Sequence, residues 1–261
     1  ERAMYTKDKT GVVMVGRAME ILDYLAGKDK PVGISEMAKD LSLPKATVFR
    51  LLNSLEEWNA VECSENEGYQ LGCFLIKLGR SASKDLHLID ICKPYMERIM
   101  KEVDENVNLA IEYENAMLSI YSTYSNSSVL SIKTIPISPM YCSAIGKAAL
   151  AYYDDEKLAA YFKRQDLRKR TAKTIITREA FEKERERIRE SGLAYDDEEY
   201  EEGLFCMAAP LFNAEGAVVA CISVSGGYGR MMAKKEKVAE VLRQAKEFIE
   251  VYTESMDRFE L

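Results

Sequence analysis

Two short stretches of this 261-residue chain carry residues that could hold a small anion. In residues 142–147 (CSAIGK) a serine precedes a run of small residues. Ser143 can cap a helix that begins there, and the amides of Ala144, Ile145 and Gly146 would then point outward without a helical partner. Free N–H groups and the positive end of the helix dipole attract negative charge, and small side chains let a ligand approach the backbone. The same residues equally suit an ordinary capped helix packed closely on a strand. In residues 220–226 (ACISVSG) the period of two places Cys221, Ser223 and Ser225 on one face of a strand and Ala220, Ile222 and Val224 on the other. Hydroxyls on a central strand need partners, either neighbouring backbone, water or a ligand.

A third stretch points to a different chemistry. Residues 34–58 (ISEMAKDLSLPKATVFRLLNSLEEW) read as two amphipathic helices joined by a tight turn, a helix-turn-helix. Ser35 can cap the first, whose buried face is Met37, Ala38 and Leu41, and Leu43 plugs the turn. Pro44 opens the second, which buries Val48, Leu51, Leu52, Leu55 and Trp58. Lys45, Thr47 and Arg50 fall on its outer face near the N-terminal end, the end that reaches base edges in the major groove.

The elements that position these residues follow from periodicity. Residues 15–26 repeat apolar side chains at helical spacing and stop at Gly27, with Pro31 beyond. After the helix-turn-helix, residues 60–64 and 69–71 flank an Asn66-Glu67-Gly68 turn, so a hairpin completes a winged helix with an acidic tip. Residues 73–85 look like a linking helix, on which His87 is expected to lie exposed, and residues 88–103 a further helix interrupted by Pro94. Residues 107–113, 116–124 and 128–135 alternate and are β-branched or aromatic, so they read as strands. A helix begins at Ser143, a basic loop spans 163–173, and a charged helix runs from about Arg178 to Gly192. Residues 206–212 and 217–225 are strands joined by a turn at 213–216. The last helix presents Val238, Val241, Leu242, Ala245, Phe248, Ile249 and Tyr252 on one face. The fold class is α+β: an N-terminal winged helix-turn-helix (1–72), a linker helix (73–88) and a C-terminal domain (89–261) with an antiparallel sheet and packed helices.

Composition narrows the function. A hydrophobic content of 47% is ample for packed cores. Charged residues interrupt every apolar run, so no membrane span is expected, and the absence of a secretory pattern points to the cytoplasm. Six scattered cysteines without a C-x-x-C pair read as reduced thiols. With one histidine there is no set of imidazoles for a zinc site or a histidine-based triad, so no metal and no cofactor is expected. The net charge is −7, yet residues 1–80 hold 11 Lys and Arg against 12 Asp and Glu, so the acidity lies mainly beyond them. Such a chain holds DNA through local basic residues and dimerisation rather than by bulk charge. The run KRQDLRKR (163–170) reads as a solvated face rather than a second nucleic-acid site.

The whole chain resembles the IclR family of bacterial transcriptional regulators. The resemblance is carried by GRAMEILDYLA (16–26), LSLPKATVFRLLNSLE (41–56), CSAIGKAALAY (142–152), GLAYDDEEYEEGLFCMAAPLF (192–212) and AVVACISVSG (217–226), in the family's order. It implies a GAF-like effector-binding C-terminal domain, a homodimer that pairs into tetramers, double-stranded operator DNA as partner, and a small carboxylate bound at the start of the 144–146 helix. It further implies that Asp196 and Cys206 line the effector pocket with Ser223 and Ser225, and that Arg17 touches the DNA backbone. Where many relatives carry His before the small-residue helix, this chain has Tyr141. An aspartate beside a carboxylate site needs ligand hydroxyls to accept from. With the hydroxyl-rich stretch 121–133, this favours a sugar acid such as 2-keto-3-deoxygluconate, although that stretch also suits an exposed edge strand. The expected function is a repressor of a catabolic operon, not an enzyme. The alternatives are a thiol-based redox sensor or GAF-fold thiol reductase using Cys206 and Cys221, and a DNA-bending or scaffolding protein without ligand.

Overall fold

The computed structural model describes residues 13–64, 68–82, 87–125, 136–164 and 167–253. The chain divides into two compact units, residues 1–86 and 87–261.

In the first unit, α1 (Val13–Ala26), α2 (Ile34–Asp40) and α3 (Lys45–Glu57) close on one apolar centre made by Ile21, Leu25, Met37, Val48 and Leu52. Each such side chain contributes about 1.5–3 kcal/mol by leaving water. Gly33, not Ser35, stands at the N-cap of α2, and no side chain caps it. The cause lies in the preceding residue. Val32 exchanges both backbone hydrogen bonds with Tyr69 at 2.9 Å, so the chain stays extended up to Gly33 and coils immediately after it. Trp58 is 67% exposed rather than buried. α3 ends at Glu57, so Trp58 leaves the helical period and its ring tilts against Phe74 at 5.9 Å. Thr47 departs the other way: it is buried, 8% exposed, and not on the outer face.

The hairpin pairs β1 (Val61–Ser64) with β2 (Gly68–Leu71), Val61 facing Leu71; its tip, residues 65–67, lies outside the described residues. Gly68 has φ +106°, and a Cβ there would come within 2.5 Å of the Val32 carbonyl, so only glycine fits. α4 (Phe74–Ala82) follows, its first amide donating to the Asn59 carbonyl at 3.1 Å.

The second unit runs α5 (His87–Val103), β3 (Asn106–Tyr113), β4 (Ala116–Thr123), β5 (Ile137–Pro139), α6 (Ala144–Leu150), α7 (Asp155–Phe162), α8 (Arg178–Ser191), β6 (Ala194–Asp197), β7 (Leu204–Phe212), β8 (Val218–Gly227), α9 (Tyr228–Ala233) and α10 (Lys235–Thr253). Among the described residues six strands form one antiparallel sheet in the order β5-β4-β3-β8-β7-β6. The strand expected at 128–135 and the exposure of His87 lie outside what is described. α5 runs through Pro94 without a break; its buried side (Leu88, Cys92, Met96, Ile99) packs on the sheet and holds the helix despite one missing hydrogen bond.

Each strand alternates between two cores. Leu109, Ile111, Met207, Ile222 and Val224 face α5 and α10; Ala110, Cys206, Ala208 and Cys221 face α6, α7 and α8. On α10 the buried stripe is Val238, Val241, Leu242, Ala245 and Ile249. Phe248 and Tyr252, expected on that stripe, are 55% and 56% exposed. Phe248 stacks on Tyr95 at 6.1 Å instead.

Candidate functional site

Strand register assembles the site. On the α6 face of the sheet, Asp196 stands opposite Cys206, Cys206 opposite Ser225, and Ser225 opposite Asn106. This row crosses four strands. A parallel row runs from Ala208 through Ser223 to Asn108. Ser143, Ala144 and Ile145 cover these rows from the start of α6. Together with Ser119, Ser138, Tyr200 and Leu204 they line a cavity of about 70 Å³, room for several waters or a small ligand. Asn106, Asn108, Ser119, Ser138 and Tyr200 were not singled out from the sequence. The alternation of Asn106, Asn108 and Ala110 on one face of β3 was the available signal.

Ser143 caps α6 as the sequence indicates. Its Oγ accepts from the Gly146 amide at 3.1 Å and donates to the Pro139 carbonyl at 2.7 Å. The Gly146 amide is therefore taken, whereas the amides of Ala144 and Ile145 donate to no acceptor among the described residues. A Cβ on Gly146 would lie 2.3 Å from the Met140 Cα, so this glycine lets α6 sit against the chain leading into it. The Tyr141 hydroxyl donates to the Arg168 carbonyl at 2.9 Å. Neither Tyr141 nor Gly146 lines the cavity.

Asp196 is 1% exposed, and its Oδ1 accepts from the amides of Glu199 (2.8 Å) and Tyr200 (3.1 Å). Burial pushes its carboxyl up to about 6, against the pull of those amides and of Lys147. Lys147 is fully buried and pairs with Glu184 at 2.9 Å and with Glu199. Burial lifts Glu199 to about 7 despite that pairing. Burial also opposes ionisation of Glu184, but bonds from Arg187 and the charge of Lys147 overcome it and hold the group at about 2. Lys147 has a sequence signal too: it stands alone among Gly146, Ala148, Ala149 and Leu150, in a helix without a polar face.

Lys163, Arg168, Lys169 and Arg170 of the basic run are exposed, and the end of the loop that follows makes internal contacts. Arg170 Nε donates to the Tyr200 carbonyl at 3.2 Å, and its guanidinium lies 4.0 Å over the Tyr200 ring. Thr171 and Thr174 donate to the carbonyls of Glu198 and Glu199, each at 2.7 Å. Lys173 bridges Asp197 and Glu198. These contacts brace the turn after β6, whose Tyr200 forms part of the cavity wall. In the first unit, Lys45 and Arg50 are exposed on α3, beside Ala46, Phe49 and Asn53, and Arg17 is half-buried on α1.

The family model described as "Bacterial transcriptional regulator IclR C-terminal" matches residues 80–251, and the IclR helix-turn-helix domain matches residues 14–63. The chain belongs to the IclR family. It is 28% identical to the transcriptional repressor IclR of Escherichia coli K12, over 96% of this chain and 94% of that protein. It is 30% identical to the E. coli K12 regulator KdgR, over 84% of each. The crystal structure of the Thermotoga maritima IclR superposes with a TM-score of 0.74 at 27% identity, covering 93% of this chain and 99% of that one. The protein is thus a DNA-binding transcriptional regulator, of a family that binds operator DNA and small-molecule effectors. Among the described residues no helix is long and apolar enough to cross a membrane.

Within this IclR-family fold the thiol alternative finds no support. Cys206 faces Ser225 while Cys221 faces Pro210, a four-residue offset between neighbouring strands and roughly 13 Å along them. Burial pushes both thiols above their ordinary range, away from the reactive thiolate.

Proposed function

We propose that this IclR-family protein represses a catabolic operon and releases its operator on binding a small hydroxylated carboxylate, a sugar acid such as 2-keto-3-deoxygluconate. The observation that carries the reading is the set of polar groups in the cavity lining, the Ser and Asn side chains and Asp196, which stand among the apolar Ala110, Ala144, Ile145, Leu204 and Cys206, with no Lys, Arg or His among the described residues. Asp196 accepts hydrogen bonds from ligand hydroxyls, and Ser223, Ser225 and the Asn106 and Asn108 amides can give or receive the others. The ligand carboxylate docks on the amides of Ala144 and Ile145. The relative named as a repressor supports the sign of regulation.

On the DNA side, Lys45 and Arg50 reach base edges or phosphates and Arg17 the backbone; Thr47 is left out because its side chain is buried. The working form is a cytoplasmic homodimer that pairs into tetramers, a regulator rather than an enzyme. Ligand-driven shifts of α6 and β8 alter the spacing of the two winged helices. Half-sites lie a fixed number of turns apart, so a small change in spacing weakens operator binding. Calorimetric titration with 2-keto-3-deoxygluconate, hexuronates, pyruvate, glyoxylate and 4-hydroxybenzoate, paired with operator gel shifts, tests this. Saturable heat and operator release with a sugar acid are expected. Heat with only the keto or aromatic acids overturns the polar-ligand reading.

A further inference from the structure

Among the described residues the cavity lining holds one acidic group, Asp196, lifted by burial to about 6, and no cationic side chain to receive a ligand's negative charge. Lys147, buried on α6 and not part of the lining, is already shared by Glu184 and Glu199. Arg187 on α8 is engaged with Glu184. Lys147 and Arg187 together carry one positive charge fewer than Glu184, Glu199 and Asp196 carry negative ones. The other groups facing Asp196 do not correct this. Asp197, its neighbour on β6, is held by Lys173. The thiols of Cys206 on β7 and Cys142 before α6 are kept neutral by burial. Arg170 is spent on Tyr200. A buried carboxylate arriving here adds a second uncompensated negative charge in a medium that screens it poorly.

One atom offers a remedy. Glu199 Oε2 is buried and has no hydrogen-bond partner among the described residues, so a proton placed there displaces no hydrogen bond and leaves Lys147 still paired with the charged Glu184. Its other oxygen accepts from Lys147, and its own amide donates to Asp196. The two carboxyl groups thus belong to one turn and one charge network.

We propose that binding of a carboxylate in this cavity takes up one proton from solvent, which lodges on the Asp196–Glu199 pair, making Glu199 a charge-balancing residue of the effector site that does not touch the ligand. The proposal rests on the reading that the effector is a carboxylate. Burial already lifts Asp196 to about 6 and Glu199 to about 7, so an adjacent negative ligand completes a protonation that is nearly favourable. Linkage sets the sign: binding strengthens as pH falls, up to about tenfold per unit above pH 7, and levels off below pH 6 where the pair is already protonated.

The test is calorimetric titration of the full chain with 2-keto-3-deoxygluconate, pyruvate and glyoxylate at pH 8, in phosphate and in Tris, whose ionisation heats differ. The expected result is a buffer-dependent enthalpy corresponding to about one proton taken up per ligand. Equal enthalpies in the two buffers for an acid that binds overturn the proposal and leave the carboxylate reading intact. Absence of saturable heat with all three acids, and with hexuronates and 4-hydroxybenzoate as well, defeats the carboxylate reading and this inference with it. Glu199→Gln imitates the protonated group. It is expected to bind at pH 8 at least as tightly as the unmodified chain and to flatten the pH profile, whereas a purely structural Glu199 would weaken binding by one factor at every pH.

Discussion

Two opposing forces act on the Asp196 carboxyl: burial disfavours its charge, and two backbone amides and Lys147 favour it. Burial wins, and the group rises from an ordinary 3.8 to about 6. A folded-state value above the unfolded one means that the native chain binds the proton more tightly. Stability is fully present below pH 4 and is lost as pH rises through 6, by about 3 kcal/mol on the order-of-magnitude conversion. Asp196→Asn keeps an oxygen for the two amides and removes the charge. Its melting temperature should therefore exceed that of the unmodified chain at pH 8, with the gap closing by pH 4; equal gaps at both would show that charge burial is not the cause. Ser223 and Ser225 pose a separate question at the same scale. Each hydrogen bond to a ligand is worth about 0.5–1.5 kcal/mol, so Ser223→Ala with Ser225→Ala should weaken effector binding roughly tenfold or more. Operator binding without ligand should be unchanged in a gel shift. An intact ligand response in that variant would place the effector elsewhere.

At the level of elements, α6 matters most because its first turn is a wall of the cavity and its body carries Lys147. Two glycines separate the demands of packing from those of backbone conformation. Gly146 must lack a Cβ because Met140 backbone occupies that space at 2.3 Å. Gly192 is the left-handed C-cap of α8 at φ +71°, with open space around it. Gly146→Ala is thus expected to lose about 3 kcal/mol or more, since backbone must move. Gly192→Ala should lose about 1–2 kcal/mol, the strain of a side chain in the left-handed region. Chemical denaturation of both variants checks the order, and a larger loss at Gly192 would contradict the packing argument.

For the whole molecule, the two units have separate apolar cores, so the DNA-reading and ligand-binding surfaces can be damaged one at a time. With a net charge of −7, DNA affinity depends on a few local cations. Lys45→Ala with Arg50→Ala should reduce operator affinity at least about tenfold and flatten its salt dependence, since each base or phosphate contact is worth about 1–3 kcal/mol. Effector heats should not change. Unaltered operator binding in that variant would remove α3 as the reading helix.

Sequence alone determined what depends on a few adjacent residues. The helix-turn-helix, the Ser143 cap, the Gly192 stop and the two-faced alternation of β8 are all legible there, because capping, φ preference and periodicity act within a turn or a strand. The order of motifs along the chain also carried the family. Tertiary structure decided the rest. Thr47 turns inward and Trp58 outward because the ends of α3 depend on what packs around it. Phe248 and Tyr252 leave the core because the sheet covers only part of α10. Asn106 and Asn108 join Ser223, Ser225 and Asp196 because antiparallel register places residues distant in the chain opposite one another. The same register puts Cys206 and Cys221 four residues apart. Lys147 meets Glu184 and Glu199 only when α6, α8 and the turn after β6 close on one another. Strand register and burial of charge are properties of the closed chain, and no local stretch of residues contains them.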